Sequence, residues 1–151
     1  MVGKIKIKRP YVLVFMCLDF LHHGHINILE KAKRKGNIIL ALVTNKGILS
    51  YKGKKPFIDF RHRLKIAKNI KLISLIVPSK GPSEFCKLAK KFKCEFFVHG
   101  DDWKKGVQSK YRQNLIKTMK KWGGKVIDLP YTKKISSTII KSKLKLESLH
   151  G

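Results

Sequence analysis

The sequence predicts a doubly wound α/β domain. Short apolar runs alternate with amphipathic, helix-spaced segments along all 151 residues, with turn residues between them. The runs are apolar at successive positions rather than at every second one, as strands of a parallel sheet covered on both faces must be. The length suits one hydrophobic core, so a single Rossmann-like domain over 1–151 is expected, with a five-stranded parallel sheet and helices on both faces.

The first strand is Tyr11-Val-Leu-Val-Phe-Met-Cys17. It gives way to a helical pattern from Ile26 to Lys35, which Gly36 should stop as a C′ glycine. Asn37 to Thr44 is a second buried strand, and Asn45 to Ile58 reads as a basic loop containing Tyr51-Lys-Gly-Lys-Lys-Pro56. Asp59 is placed to N-cap a helix through Ile70. The third strand is Leu72 to Pro78 and the third helix Pro82 to Phe92. A fourth strand, Cys94 to His99, runs into Gly100-Asp101-Asp102-Trp103. A helix from about Ser109 to Trp122 ends at Gly123-Gly124, Val126 to Leu129 is a short fifth strand, and the terminal helix starts near Ser136. Neither a repeat nor a linker interrupts this order.

In parallel sheets, ligands bind beyond the carboxyl ends of the strands. Three segments fall there. His22-His23-Gly24-His25 follows the first strand, where free backbone N–H groups and the helix dipole favour an anion. Gly24 would let a phosphate approach the backbone, and two imidazoles could stabilise charge on a phosphoryl oxygen. Surface histidines at a helix start are the plainer alternative. Gly100, Asp101 and Asp102 follow the fourth strand and suit a magnesium–nucleotide complex, base or ribose, or simply a turn. Trp103 either stacks on a base or covers the core edge. Ile135, Ser136, Ser137 and Thr138 open the last helix, offering hydroxyls at its N-terminus or an ordinary cap.

Composition limits the function classes. Thirty-five Lys and Arg against nine Asp and Glu give a net charge of +26. The lysines are spread along the whole chain without a basic tail, which fits compositional bias or capture of an anionic substrate better than a dedicated nucleic-acid partner. Cys17, Cys86 and Cys94 lack zinc spacing and read as free thiols of a cytoplasmic protein. Neither a membrane span nor a signal-peptide pattern is visible, so no membrane partner is expected.

These residues resemble the nucleotidyltransferase superfamily that includes the cytidylyltransferases. Its glycerol-3-phosphate, phosphoethanolamine and phosphocholine members begin Gly-Thr-Phe-Asp-x-x-His-x-Gly-His. Here the frame reads Met16-Cys17-Leu18-Asp19-Phe20-Leu21-His22-His23-Gly24-His25, matching at the aspartate and histidines but not at Gly-Thr. A fuller likeness is to the phosphonate cytidylyltransferase associated with phosphoenolpyruvate mutase. It runs through Asp19 to Ile28, Ser50-Tyr-Lys52, Val98 to Lys104, Trp122-Gly-Gly124, Pro130-Tyr-Thr132 and Ile135 to Thr138.

The resemblance implies transfer of CMP from CTP to a small phosphonate or phosphate acceptor with release of pyrophosphate. The first guess for the acceptor is 2-aminoethylphosphonate. His22, His25 and Lys52 would be catalytic. Asp19, Gly24, Arg63, Gly100, Asp101, Asp102, Ile135, Ser136, Ser137 and Thr138 would bind the nucleotide. Lys52, Lys54 and Tyr131 would meet the acceptor. Arg63 would tuck its stem toward the core and its fork toward the cleft. Magnesium would arrive on the CTP phosphates rather than in a protein metal site, and a homodimer is implied. Lys134 stands where related enzymes usually have glycine, and Tyr131 where the glycerol-3-phosphate type has arginine, which argues against that acceptor. Phosphocholine, phosphoethanolamine and glycerol 3-phosphate stay open as acceptors. An adenylyltransferase and a non-catalytic polyanion-binding module are the alternative functions.

Overall fold

The computed structural model describes residues 6–130, 132 and 135–150, with the side chains of 147–150 excepted. Five strands form one parallel sheet: β1 (Tyr11–Met16), β2 (Asn37–Val43), β3 (Ile73–Ser79), β4 (Phe96–Gly100) and β5 (Lys125–Leu129). The helices are α1 (His23–Lys33), α2 (Asn45–Lys52), α3 (Phe60–Lys68), α4 (Phe85–Phe92), α5 (Ser109–Lys120) and α6 (Ser137–His150). Short 3₁₀ turns at Pro82–Glu84 and Asp101–Lys104 precede α4 and follow β4.

The sheet order is β3-β2-β1-β4-β5, all pairs parallel. Side chains alternate along each strand and feed two separate cores. Leu13, Phe15, Ile39, Ala41 and Phe97 pack against Phe85, Leu88, Leu115 and Met119 of α4 and α5. Val12, Val14, Ile38, Leu40 and Val98 pack against Leu29, Ala32 and Ala67 of α1 and α3. Burial on both faces explains the unbroken apolar runs in the sequence. The order reverses at β1, whose chain continues outward on one side to β2 while β4 lies on the other. A crevice therefore opens at the carboxyl ends of β1 and β4.

Two local expectations need correction. The basic loop contains a helix: Thr44 Oγ1 accepts from Gly47 N at 3.1 Å as N-cap of α2, and Gly53 ends it in a left-handed conformation at φ 70°. That helix places Lys52 in its last turn. Gly36 is not a left-handed cap. A Cβ there would lie 2.4 Å from the Pro10 carbonyl oxygen, so the glycine allows the chain to pass under Pro10 and enter β2. No described helix is long and apolar enough to cross a membrane.

Candidate active site

A cavity of about 320 Å³ occupies the crevice. Its wall includes Asp19, His22, Gly24 and His25 after β1, Lys52 from α2, His99, Gly100 and Asp102 around the end of β4, and Thr132 with Ile135, Ser136, Ser137 and Thr138 before and in α6. Three sequence segments that are distant in the chain thus converge as expected.

The histidines are fixed by the helix they begin. His22 is the N-cap of α1, and its Nδ1 accepts from Gly24 N at 3.1 Å. His25 Nδ1 accepts from His22 N at 3.2 Å, which completes a capping box made of imidazoles. An imidazole nitrogen that accepts cannot carry the proton, so both neutral rings are Nε2–H tautomers. The ring centroids lie 4.0 Å apart and both rings line the cavity, giving it a pair of N–H donors. His23, the spacer, is exposed.

Burial, helped by the charge on His23, lowers the His22 pKa. Burial, then the charges of His22 and Lys52, pushes His25 down to about 4. The pair therefore acts as neutral donors near pH 7. An unfolded histidine titrates near 6.5, so neutral His25 contributes its full stability above that pH. The contribution is lost as pH falls from 6.5 toward 4. Carbon or nitrogen chemical shifts of the His25 ring should stay flat between pH 8 and 5.5. A midpoint near 6.5 would contradict this electrostatic setting.

The glycine on the cavity wall makes room for the His22 ring. A Cβ on Gly24 would sit 2.8 Å from His22 Cε1 and 2.9 Å from Nδ1. Its N–H is already donated to His22 Nδ1, so this amide of the α1 amino end is engaged within the protein.

Two expected ligand contacts are turned toward protein. Asp19 lines the cavity but is only 4% exposed. Its oxygens accept from Phe57 N at 3.1 Å, Ile58 N at 2.8 Å and Lys141 Nζ at 2.9 Å. Burial works against its charge, but the Ile58 amide and Lys141 outweigh this and hold its pKa below the ordinary carboxylate value. Asp19 is thus an anchor joining the segment before α3 to α6. It also holds the turn in which Leu18 takes φ 54°, a left-handed conformation costing roughly 1–2 kcal/mol for such a residue.

Arg63 is fully buried, and its fork does not open to the cleft. It donates to the carbonyls of Ile58 at 2.8 Å, Cys17 at 2.7 Å and Val43 at 2.6 Å, and to Asn45 Oδ1 at 2.8 Å. The stem points coreward as expected, and the head locks the ends of β1 and β2 behind the cavity.

Asp102 reaches the wall with a side chain 56% exposed, whereas Asp101 and Lys54 are not among the residues lining the cavity. Trp103 is buried, stacked on His99 with centroids 4.1 Å apart, so it covers the core edge. Its indole N–H donates to Asp128, which also receives Arg112 Nη2 at 2.6 Å. That network fixes the turn carrying Asp102. Ser136 Oγ accepts from Ile139 N at 3.1 Å and caps α6, while Ser137 and Thr138 line the cavity from its first turn. Tyr131 and Lys134 lie outside the described residues.

Asp128, Lys141 and Thr132 were missed. Thr132 Oγ1 accepts from Asn27 Nδ2 at 3.3 Å and closes the wall beside Gly24. Only the placing of a single charged residue in the fifth apolar run hinted at Asp128. Among the described residues, no group of three or more His, Cys, Asp or Glu side chains is placed to hold a metal ion. Of the two carboxylates that line the cavity, Asp19 is buried and Asp102 has the open side chain.

Residues 16–143 match the model of the cytidylyltransferase-like family. Glycerol-3-phosphate cytidylyltransferase of Bacillus subtilis (strain 168) is 29% identical over 133 residues, covering 88% of this chain and 95% of that protein. Ethanolamine-phosphate cytidylyltransferase of Mus musculus is 32% identical over 87 residues, which cover 57% of this chain and 21% of that longer protein. Among solved structures, the lipopolysaccharide core biosynthesis protein from Thermoplasma volcanium GSS1 shares the fold, with a TM-score of 0.63 and 21% identity. That likeness covers 83% of this chain and 98% of the other. The match spans both histidines, the turn after β4 and the start of α6, and the chain belongs to the cytidylyltransferase-like family of nucleotidyltransferases.

Proposed function

We propose that the protein transfers CMP from CTP to a small phosphonate or phosphate-monoester acceptor, with 2-aminoethylphosphonate as the first candidate. The observation that carries this reading is the pair of imidazoles, each held at Nδ1 by the capping box and lining the cavity at the sheet's switch point. An acceptor oxygen attacks the α-phosphorus of CTP, the bond to the bridging oxygen breaks, and pyrophosphate leaves with the electron pair. His22 and His25 donate to the α-phosphate and bridging oxygens as charge grows on them, and Lys52 neutralises the incoming acceptor phosphate. Ser137 and Thr138 supply hydroxyls at the amino end of α6, whose dipole favours the polyphosphate. Magnesium carried on the triphosphate would supply charge neutralisation, and Asp102 is the open cavity-lining carboxylate that would meet it. The reading includes a homodimeric assembly.

Glycerol 3-phosphate is the second acceptor reading, favoured by the Bacillus subtilis relative named for it. Against it stands the phosphonate-type run of motifs at 100–104, 122–124 and 130–138. Pyrophosphate release with CTP should be at least about tenfold higher in kcat/KM for 2-aminoethylphosphonate than for glycerol 3-phosphate, a difference of about 1.4 kcal/mol. Equal or reversed preference would remove the phosphonate reading. Turnover with ATP in place of CTP would instead point to adenylyl transfer.

Gly24→Ala gives a local test. The added methyl displaces the His22 ring, so kcat should fall about 10- to 100-fold while the far-ultraviolet circular dichroism is unchanged. Wild-type turnover in this variant would show that the ring position does not matter.

A further inference from the structure

Lys52 reaches the main cavity from the last turn of a weakly buried helix. Only Gly47 and Ile48 of α2 are buried. Its amino end is tied down by the Thr44 cap and by Asn45, whose Oδ1 accepts from Phe60 N at 3.0 Å and from Arg63 Nη2 at 2.8 Å. Those ties lie at the opposite end of the helix from Lys52. Beyond Lys52, residues Gly53, Lys54 and Lys55 are all exposed. Among the described residues the Lys52 ammonium makes neither an ion pair nor a hydrogen bond. A lysine side chain carries roughly 2 kcal/mol of rotamer entropy, so one that must meet a phosphate at a fixed place needs a hold on its backbone or stem.

Tyr51 supplies that hold. Its hydroxyl and Cys17 Sγ are hydrogen-bonded at 2.9 Å, which joins the last turn of α2 to the end of β1. Cys17 is itself fixed, because its carbonyl accepts from Arg63 Nη1 at 2.7 Å. The Tyr51 ring packs on Gly81, two residues after β3: a Cβ there would lie 3.1 Å from Cδ1 and 3.2 Å from Cε1. Lys52 Nζ lies 5.6 Å from the centre of the same ring, within the range of a cation–π contact. Burial, then the neighbouring Cys17, raises the Tyr51 pKa, so the hydroxyl keeps its proton and the link persists at neutral pH.

We propose that Tyr51 is a positioning residue for the transfer, fastening the last turn of α2 to the end of β1 so that Lys52 stays on the cavity wall. This rests on the cytidylyl-transfer reading above and adds the part of the fold that aims the lysine. Tyr51 touches no reacting atom; its effect passes through Lys52 alone.

The test is a double-variant cycle on Tyr51→Leu and Lys52→Met. Pyrophosphate release is followed with CTP and whichever of 2-aminoethylphosphonate and glycerol 3-phosphate the wild-type protein uses. Tyr51→Leu should lower kcat/KM for the acceptor about tenfold, mainly through the acceptor KM, while the CTP KM changes by less than about twofold. The double variant should be no worse than Lys52→Met alone, since a hold on a lysine is worth nothing once the lysine is gone. Tyr51→Phe keeps the ring and loses the hydroxyl, so it should fall between wild type and Tyr51→Leu with native circular dichroism. A second readout needs no turnover. The charge of Lys52 helps to lower the His25 pKa, so Lys52→Met should raise the midpoint of the His25 ring titration, and Tyr51→Leu should move it the same way. Losses that multiply in the double variant would overturn the inference, as would a His25 midpoint raised in Lys52→Met but unmoved in Tyr51→Leu. A wild-type protein silent with CTP and both acceptors would instead remove the transfer reading, and the His25 midpoint would then decide alone whether Tyr51 holds Lys52.

Discussion

Replacing His25 with alanine should lower kcat for CMP transfer about 100- to 1,000-fold while changing CTP binding by much less. The ring supplies one fixed N–H donor to the reacting phosphate, and loss of one such donor costs about 2.7–4 kcal/mol of barrier. Because the contact strengthens as charge develops, the loss falls on kcat rather than on ground-state binding. His22→Ala should behave similarly, but the two losses will not add. Each ring is held partly by the other's segment, since the His22 amide orients His25 and the rings are 4.0 Å apart. Asparagine at position 25 separates the donor from the scaffold: it offers an N–H but cannot reproduce the ring's reach, so partial rescue at most is expected. Steady-state kinetics with circular dichroism on each variant decides the matter. Turnover within threefold of wild type in His25→Ala would remove the proposed mechanism.

Much of this site was readable in the sequence, for reasons that depend on the residue. The strands were legible because burial on both faces leaves unbroken apolar runs, and strand order then fixes where ligands bind. His22, Gly24 and His25 were legible as a motif, yet the reason for their spacing was not. The sequence suggests a glycine clearing space for phosphate, and the fold also uses it to seat an imidazole that caps the helix. The helix α2 was hidden because Gly47 and the lysines weaken its pattern, and only Gly47 and Ile48 are buried in it. Its caps at Thr44 and Gly53 were the available signal. Asp19 and Arg63 were found but turned the wrong way. A charged residue beside a cleft can face ligand or backbone, and the choice is set by carbonyls and amides contributed from elsewhere in the chain.

Arg63 carries the second large expected effect, and it is one of stability. Arg63→Leu should lower the free energy of unfolding by about 4 kcal/mol. The leucine would fill much of the stem's volume, but the Cys17, Val43 and Ile58 carbonyls and the Asn45 amide oxygen would all lose a charged donor. Buried acceptors left unpaired cost about 1–3 kcal/mol each before relaxation, and the four share one donor head, so the losses partly overlap. In a chain of this size each kcal/mol moves the melting midpoint by roughly 2–4 °C, so a drop of about 8–16 °C is expected. Lysine should not rescue it, because one ammonium cannot place donors on carbonyls from the ends of two strands and from the segment before α3. The consequence reaches the chemistry through Cys17, which lines the cavity immediately before Leu18 and Asp19. Relaxation there would loosen the wall before the whole protein melts, so kcat should fall at temperatures where the circular dichroism is still native. Arg63→Leu and Arg63→Lys melting within 3 °C of wild type would show that the buried guanidinium is not what holds the strand ends.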